Sequence, residues 1–417
     1  MPRRSRRAPL RLPGFLAAVL ILPLLLLNGC TSGSGSGGMI GSDFFGMHVH
    51  RLTPDQGTVA TPWPNASFGS LRLWDSGTTW AKLQPTPTTW DFSKLDAQVD
   101  QARQHGASVL LVLGQTPTWA SARPGQASGY GAGAGAEPKD FLAWQRYVRT
   151  VVERYRGRIS AYEVWNEPVE ARYYTGTPET LGRLTKLAAA EIRRADPAAK
   201  VVSASPYAQG PNNTWLRRYL ATGAGSVVDA LGVHLYAQVP EVALDGYATM
   251  RRAFNDLGLG AKPVWVTETG YRRNPGEGGY SDNAMRGIVL RSHLMLAAQG
   301  VARVYWYAWD NQGWVGVKMT QPDSRALAAG GVGYQQTVAA LTGAKVLSCH
   351  AATTGLSSCT VSKNAKRSTY YWTSSGYRTM RLPAGTTGVQ PFGGTWRPEW
   401  AGHNLLVTGL PVQVTLR

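Results

Sequence analysis

The sequence predicts an α/β fold, a (β/α)8 TIM barrel followed by a small C-terminal β-sandwich domain. Between residues 44 and 341, short apolar runs alternate with longer segments of helical spacing, a pattern typical of a parallel sheet. Eight such runs in about 300 residues fit a closed barrel better than an open doubly wound sheet. No Gly-rich phosphate-binding turn follows the first run, which further disfavours the open sheet. After residue 343 the apolar runs shorten and Gly, Ser, Pro and Asn separate them, as in an antiparallel β-domain.

The barrel strands are read from runs of β-branched and other apolar residues. They are Phe44–Val49, Ser70–Trp74, Ser108–Leu113, Ile159–Trp165, Lys200–Ser205, Ala230–Tyr236, Val264–Thr267 and Arg303–Ala308. Helices are predicted where apolar residues recur every three or four positions. They are Lys94–His105, Asp140–Tyr155, Pro178–Ala195, Thr214–Thr222, Val242–Leu257, Asp282–Gln299 and Gly333–Leu341. The late strand-like pieces are Lys345–Leu347, Cys359–Ser362, Thr369–Thr373, Thr379–Leu382, Asn404–Val407 and Val412–Leu416.

Four segments follow from this pattern: an export signal (1–30), a flexible Gly/Ser tether (31–42), the barrel (43–343) and the β-sandwich (344–417). The first has an Arg-rich start and an apolar stretch, Phe15–Leu27, too short for a membrane span. It resembles a bacterial lipoprotein signal, which implies lipidation of Cys30 and a membrane anchor facing outwards; plain secretion is the alternative. The β-sandwich is either a carbohydrate-binding module or a lid packed on the barrel's side.

The formal net charge is +18, which favours anionic surroundings such as acidic or cell-wall polymers. Nucleic acid is not expected, since the basic residues are scattered rather than grouped with exposed aromatics. In an exported protein, Cys349 and Cys359 are expected to form a structural disulfide. No Cys or His spacing typical of a metal site occurs, so we expect no metal or cofactor, and a monomer.

Polar side chains gather at the predicted strand ends, where barrel enzymes hold their catalytic groups. Glu167 follows the fourth strand and Glu268 the seventh, and these strands lie nearly opposite each other in an eight-stranded ring. Two carboxylates on either side of a sugar's anomeric carbon are the minimum apparatus for glycoside hydrolysis. One must stay protonated near neutral pH and the other ionised, which Arg72 and the Tyr236 hydroxyl would favour.

The residues at these strand ends resemble those of clan A retaining glycoside hydrolases. The motifs are Trp165-Asn166-Glu167-Pro168 and Thr267-Glu268-Thr269-Gly270, with Arg72 on strand two and His234-x-Tyr236 on strand six. Trp80-Ala81-Lys82-Leu83, Trp90-Asp91-Phe92 and Thr116-Pro117-Thr118-Trp119-Ala120 look most like family 39 and related bacterial polysaccharide hydrolases.

The resemblance implies double displacement with retention, with Glu167 as acid/base and Glu268 as nucleophile. Asn166 would then bind the sugar's 2-hydroxyl, and Arg72 and Tyr236 would hold Glu268 ionised. His234 would position substrate or a carboxylate, and Trp309 would stack under the reacting sugar.

Other residues carry weaker expectations. Trp119 and Trp314 are candidate sugar platforms with core packing as the alternative, and His50 is a similar candidate. Glu163 is expected to be a buried acid that needs a partner. The loop Gly125–Glu137 is either a flap over substrate or an insertion without a role. Two other functions use the same residues: a transglycosylase, and a catalytically silent glycan-binding lipoprotein.

Overall fold

All eight predicted barrel strands are present. The computed structural model describes residues 38–417 apart from 56, 275, 311–312 and 324. The predicted export signal, Cys30 and residues 31–37 of the tether therefore lie outside the described residues. The strands are β1 Phe45–His48, β2 Ser70–Leu73, β3 Ser108–Leu113, β4 Ala161–Val164, β5 Lys200–Val202, β6 Leu231–Ala237, β7 Val264–Tyr271 and β8 Arg303–Trp306.

The strands form one parallel sheet that curves back on itself. Its order is β5-β4-β3-β2-β1-β8-β7-β6, with β1 pairing to both β2 and β8. Parallel bridges from Val202 to Ala230 and from Tyr207 to His234 join β5 to β6. The ring is therefore complete, and the carboxyl ends of all eight strands open on one face.

Helices connect the strands and cover the barrel. They are α1 Trp80–Leu83, α2 Ser93–Gln104, α3 Phe141–Arg154, α4 Pro178–Ala195, α5 Thr214–Tyr219, α6 Gly225–Val227, α7 Pro240–Asp256, α8 Asp282–Ala298 and α9 Ala329–Leu341. Side-chain caps start several of them: Asp140 accepts from the amide of Leu142, and Thr177 from that of Thr180. The described residues contain no helix that is both long and apolar enough to cross a membrane.

The interior of the barrel changes from apolar to charged along its axis. Its apolar layer consists of Leu110, Ala161, Val202, Ala230, Trp265 and Tyr305. Glu163 lies two residues after Ala161 on β4, so both side chains point inwards. The charged residues therefore lie above a layer of apolar side chains that fills the barrel, and they are confined to one end of it.

The C-terminal region is antiparallel. Its strands are β9 Lys345–His350, β10 Leu356–Lys363, β11 Lys366–Thr373, β12 Arg378–Arg381, β13 Thr386–Pro391, β14 Arg397–Pro398, β15 Asn404–Val407 and β16 Val412–Leu416. Six form a sheet in the order β14-β13-β16-β11-β10-β9, and β12 pairs with β15. The sequence pattern missed β13, which Gly388 and Pro391 interrupt, and the two-residue strand β14. The predicted disulfide is confirmed: Cys349 and Cys359 are directly opposed on β9 and β10.

This region packs against the barrel's helices through a buried polar contact. The indole Nε1 of Trp372 on β11 donates to Glu241 Oε1 on α7 at 2.7 Å. Arg291 on α8 donates to Glu241 Oε2 at 3.1 Å and to the Gly409 carbonyl at 3.2 Å. The C-terminal region is therefore packed against the side of the barrel.

Candidate active site

A cleft of about 630 Å³ opens at the carboxyl ends of the strands. Six of the residues singled out from the sequence line it: Asn166, Glu167, His234, Tyr236, Glu268 and Trp314. Arg72 lies directly beneath, fully buried. Residues from β2, β4, β6 and β7 and from the β8 loop thus meet at one place, as the barrel topology predicts.

The turn after β4 aims Glu167 into the cleft. Trp165 and Glu167 both have left-handed backbone conformations, with φ of 79° and 38°, which cost non-glycine residues about 1 kcal/mol or more each. The buried indole of Trp165 donates to the Tyr173 carbonyl at 2.9 Å, and the Glu167 amide donates to the Ser205 carbonyl at 3.2 Å. These contacts hold the strained turn in place.

Arg72 connects the floor of the site to its reactive carboxylate. Its guanidinium donates to both oxygens of Glu163, at 2.7 and 2.8 Å, and to Oε1 of Glu268 at 2.7 Å. Nη2 also donates to the amide oxygen of Asn166 at 2.8 Å. The expectation that Glu163 is a buried acid with a partner is met, and that partner is Arg72.

Asn166 is oriented by this contact. Because its amide oxygen accepts from Arg72, its NH₂ group is the end left to face the cleft that the residue lines. An NH₂ group donates hydrogen bonds. The side chain is therefore arranged to donate to a sugar hydroxyl.

His234 lies between the two carboxylates. Its Nδ1 is 2.9 Å from Glu167 Oε1 and 3.4 Å from Glu268 Oε2. The Tyr236 hydroxyl donates to Glu268 Oε2 at 2.5 Å. One atom from each of Glu167, His234 and Glu268 lies within 4.8 Å of the other two. This separation fits the carboxylate spacing of about 5–5.5 Å in retaining glycosidases and is too short for the 6.5–9.5 Å of inverting ones.

The environment shifts the pKa of each of these three groups. Burial raises the pKa of Glu167 to about 7, against the opposing charges of Arg172 and Arg72. Burial also raises the pKa of Glu268, while Arg72 and the Tyr236 hydroxyl act to keep it ionised. Burial lowers the pKa of His234 to about 4, so the ring is neutral at neutral pH. With its hydrogen assigned to Nδ1, it donates to Glu167 and leaves the proton of that acid for a substrate.

The same three residues are the one group in the described part of the chain whose atoms are close enough to hold a metal ion together. Glu268 already accepts from the guanidinium of Arg72 and from the hydroxyl of Tyr236. Those donors would compete with a cation for the same oxygens. The arrangement suits proton transfer, and the expectation of a metal-free site remains a prediction.

Three of the predicted site residues lie away from the cleft. Trp309 is 1% exposed, belongs to the hydrophobic core and does not line the cleft, so its indole is not under a sugar in the cleft. Trp119 donates to the Gln84 carbonyl at 3.0 Å and packs edge-on against Trp80. His50 lies 3.2 Å from Asp310 and packs against the ring of Tyr307, so it reaches the cleft only through that tyrosine.

Other cleft residues were not singled out as site residues from the sequence. Tyr307 lines the cleft and donates to Asp75 at 3.0 Å. Tyr130, from the Gly-rich loop, donates to the other oxygen of Asp75, so this loop is tied to the rim. The cleft is also lined by Trp74, Glu170, Arg172, Tyr173, Tyr207 and Arg272. The sequence does contain a signal for some of these cleft residues, because aromatic and charged residues are dense directly after Glu167, from Glu170 to Tyr174.

The family model that describes glycosyl hydrolase family 10 matches residues 61–324 of this chain. The chain belongs to glycosyl hydrolase family 10. The match includes every cleft residue named above, from Trp74 to Trp314. The resemblance to clan A glycoside hydrolases is thereby confirmed.

Known proteins similar to this family 10 chain include a xylanase, a family 39 glycoside hydrolase and a family 30 endoxylanase. A β-1,4-xylanase from Dictyoglomus thermophilum is 30% identical over 88 residues, which is 21% of this chain and 23% of that enzyme; the match spans less than a quarter of that relative. A family 39 glycoside hydrolase from Bacteroides cellulosilyticus has a TM-score of 0.69 at 16% identity, covering 91% of this chain and 82% of the other. A family 30 endoxylanase from Clostridium papyrosolvens has a TM-score of 0.60 at 16% identity, covering 93% and 99%. At these identities the structural likenesses show the shared fold.

Proposed function

We propose that this protein is an exported retaining glycoside hydrolase that cleaves an extracellular or cell-wall polysaccharide of the xylan type by double displacement. The observation that carries the proposal is the geometry of Glu167 and Glu268, whose nearest oxygens lie within 4.8 Å across a cleft. That spacing leaves room for one anomeric carbon and no water between nucleophile and sugar. The similar β-1,4-xylanase supports the substrate class.

In the first step Glu167, protonated because burial raises its pKa to about 7, donates its proton to the leaving oxygen. Glu268, held by Arg72 and Tyr236, attacks the anomeric carbon and forms a covalent glycosyl-enzyme. In the second step Glu167 removes a proton from water, and the water oxygen displaces Glu268. Asn166 contributes a hydrogen bond to the sugar ring.

Two measurements test this proposal: the anomeric configuration of the first product, and the dependence of turnover on Glu268. Hydrolysis of an aryl β-xyloside or of xylan, followed by proton NMR in the first minutes, should show the β-anomer first. The Glu268→Gln variant should lose essentially all turnover, whereas Glu179→Gln, a surface carboxylate on α4, should retain it. Release of the inverted anomer, or full activity in Glu268→Gln, would refute the mechanism.

The two alternatives are separable by the same assay. A transglycosylase would form longer products at high concentrations of an acceptor sugar, because acceptor and water compete for the same glycosyl-enzyme. A catalytically silent binding lipoprotein would bind glycan equally before and after Glu268→Gln and release no sugar. Export and the anchor rest on Cys30 and its preceding apolar stretch, and radiolabelled palmitate incorporation that is lost in Cys30→Ala tests them.

A further inference from the structure

A second concave surface continues from the cleft past Trp314. We call it the basic annex; it includes Gln238, Arg272, Arg273, Asn274, Tyr280 and Lys318, and measures about 690 Å³. It shares Tyr236, Arg272 and Trp314 with the cleft. A chain bound across the two carboxylates therefore reaches the annex without leaving the protein surface.

The annex is positively charged. Its described lining contains Arg272, Arg273 and Lys318 and no acidic residue. The acid on the same loop, Glu277, accepts from the amide and the side chain of Asn274, at 3.2 and 3.1 Å. One carboxylate near three cations leaves a net positive surface beside the site.

Three arginines around the cleft rest on aromatic rings. Some arginines on the outside of the barrel pair with carboxylates, as Arg218 does with Glu179 at 3.0 Å and Arg149 with Glu191 at 2.9 Å. Arg172, Arg272 and Arg273 form no ion pair with any acid that the structure describes. Each instead lies over an aromatic ring: Tyr173 at 4.6 Å, Trp314 at 5.1 Å and Tyr280 at 5.2 Å.

This arrangement suits the binding of an anion. A guanidinium that rests on a ring is held by its face, while its N–H edges remain directed outwards for an acceptor in the same plane. Two parallel N–H donors match the two oxygens of a carboxylate. Arg172 follows β4, whereas Arg272 and Arg273 follow β7, so cations flank the catalytic carboxylates on both sides of the ring.

We infer that the basic annex binds the carboxylate of an acidic sugar unit, and that the preferred substrate is a uronate-bearing polysaccharide. The inference rests on the proposed glycosidase function and names the substrate class for that same site. A sulfate ester offers similar oxygens, so the test includes both anions.

The experiment compares three polymers: a glucuronoxylan, the same polymer after chemical reduction of its carboxyl groups to alcohols, and a sulfated xylan. The wild-type kcat/KM should be about five- to tenfold higher on the acidic xylan than on its reduced form, which is the usual scale of a charged hydrogen bond near the surface. The ratio should fall as salt rises from about 0.02 M to 0.3 M, because the annex is exposed and its charges are screened.

Variants locate the effect. Arg273→Gln should lower the acidic-to-reduced ratio of kcat/KM by about fivefold. Arg252→Gln removes the same charge from the exposed side of α7, towards its far end, and should leave the ratio unchanged. Equal ratios in wild type, Arg273→Gln and Arg252→Gln would overturn the assignment.

Binding to the Glu268→Gln protein, measured by calorimetry, separates the annex from turnover. Tighter binding of glucuronoxylan than of its reduced form would support anion binding by the annex, even if the wild type hydrolyses neither polymer. Failure of the wild type to hydrolyse either polymer would count against the proposed hydrolase function and not against the annex. Equal binding of the two polymers overturns the annex. Equal or tighter binding of the sulfated xylan would reassign the annex to sulfate esters and overturn the uronate assignment.

Discussion

Arg72 and Glu163 form a two-point ion pair inside the barrel, with Nε 2.7 Å from Oε2 and Nη2 2.8 Å from Oε1. Both side chains are fully buried. The pair fixes the plane of the guanidinium, and that plane directs Nη1 to Glu268 and Nη2 to Asn166. An acid beneath the cleft therefore orients two residues that line it.

We expect Glu163→Gln to lower both stability and turnover. The amide has a single accepting oxygen, so its NH₂ group would face one of the Arg72 N–H donors. Buried Arg72 would also have less negative charge around it, and together these changes should cost about 3 kcal/mol in the free energy of unfolding. Misplacement of Glu268 should lower kcat about a hundredfold. Urea unfolding and initial rates measure both. Glu191→Gln on α4 is the matched control, and a Glu163→Gln enzyme with the control's kcat would contradict the orienting role.

The pH dependence of kcat/KM should show a basic limb near pH 7. Burial raises the pKa of Glu167 to about 7, and the acid must be protonated to donate to the leaving group. The rate should therefore fall about tenfold for each pH unit above that value. A series of aryl glycosides tests the assignment: the limb should weaken for dinitrophenyl leaving groups, which depart without a proton. A limb of equal steepness for all leaving groups would assign it to another residue.

The same raised pKa has a consequence for stability. The native state holds a proton on Glu167 that the unfolded chain releases near its ordinary pKa of 4.5, so the group's favourable contribution is present below that pH and is lost as pH rises through about 7. Glu167→Gln should therefore stabilise the protein more at pH 8.5 than at pH 4. The gain in the free energy of unfolding relative to wild type should be about 1–3 kcal/mol larger at pH 8.5, and thermal unfolding at the two pH values measures it. Equal gains at both pH values would exclude this linkage.

Tyr236→Phe tests the control of the nucleophile. The hydroxyl donates to Glu268 Oε2 at 2.5 Å and so lowers the pKa of that carboxyl. Its loss should move the acidic limb of the profile to higher pH and lower kcat/KM about 10- to 100-fold, the range for a hydrogen bond to a charged group. Tyr174→Phe, which removes a hydroxyl bonded to the Thr177 carbonyl, should leave the limb in place. An unshifted limb in Tyr236→Phe would show that the hydroxyl does not control the ionisation of Glu268.

Trp372→Phe probes the contact between the β-sheet and the barrel. The change removes the hydrogen bond to Glu241 and part of a fully buried ring, with an expected loss of about 2–3 kcal/mol. Trp396→Phe, at a ring that is 51% exposed, is the control and should cost far less. Chemical denaturation of both variants decides, and equal midpoints would show that the contact contributes nothing.

The strand-end residues could be predicted because barrel topology leaves little freedom. Once Glu167 and Glu268 are placed at the ends of the fourth and seventh strands, the ring brings them together whatever the loops do. His234 and Tyr236 follow from the alternation of side chains along β6. Arg72 was expected to keep the second carboxylate ionised, and its inward position on β2 puts it in contact with Glu268.

The loop residues could not be predicted in the same way. Trp309 and Trp314 lie five residues apart in the loop after β8, and no periodicity says which of them faces the cleft. Trp309 is buried in the core, whereas Trp314 lines the cleft and packs against the ring of Tyr236. The support of Asp75 by Tyr130 and Tyr307 joins three separate loops. Such contacts depend on tertiary structure, which a single sequence does not display.

The position of β16 has a consequence for the order of folding. This strand is inserted between β13 and β11, so the six-stranded sheet lacks an inner member until residues 412–416 have paired. The barrel, by contrast, takes all its strands from the chain up to residue 306. Folding is therefore expected in two stages: the barrel forms first, and β11 with its Trp372 packs firmly against it only once β16 has joined the sheet.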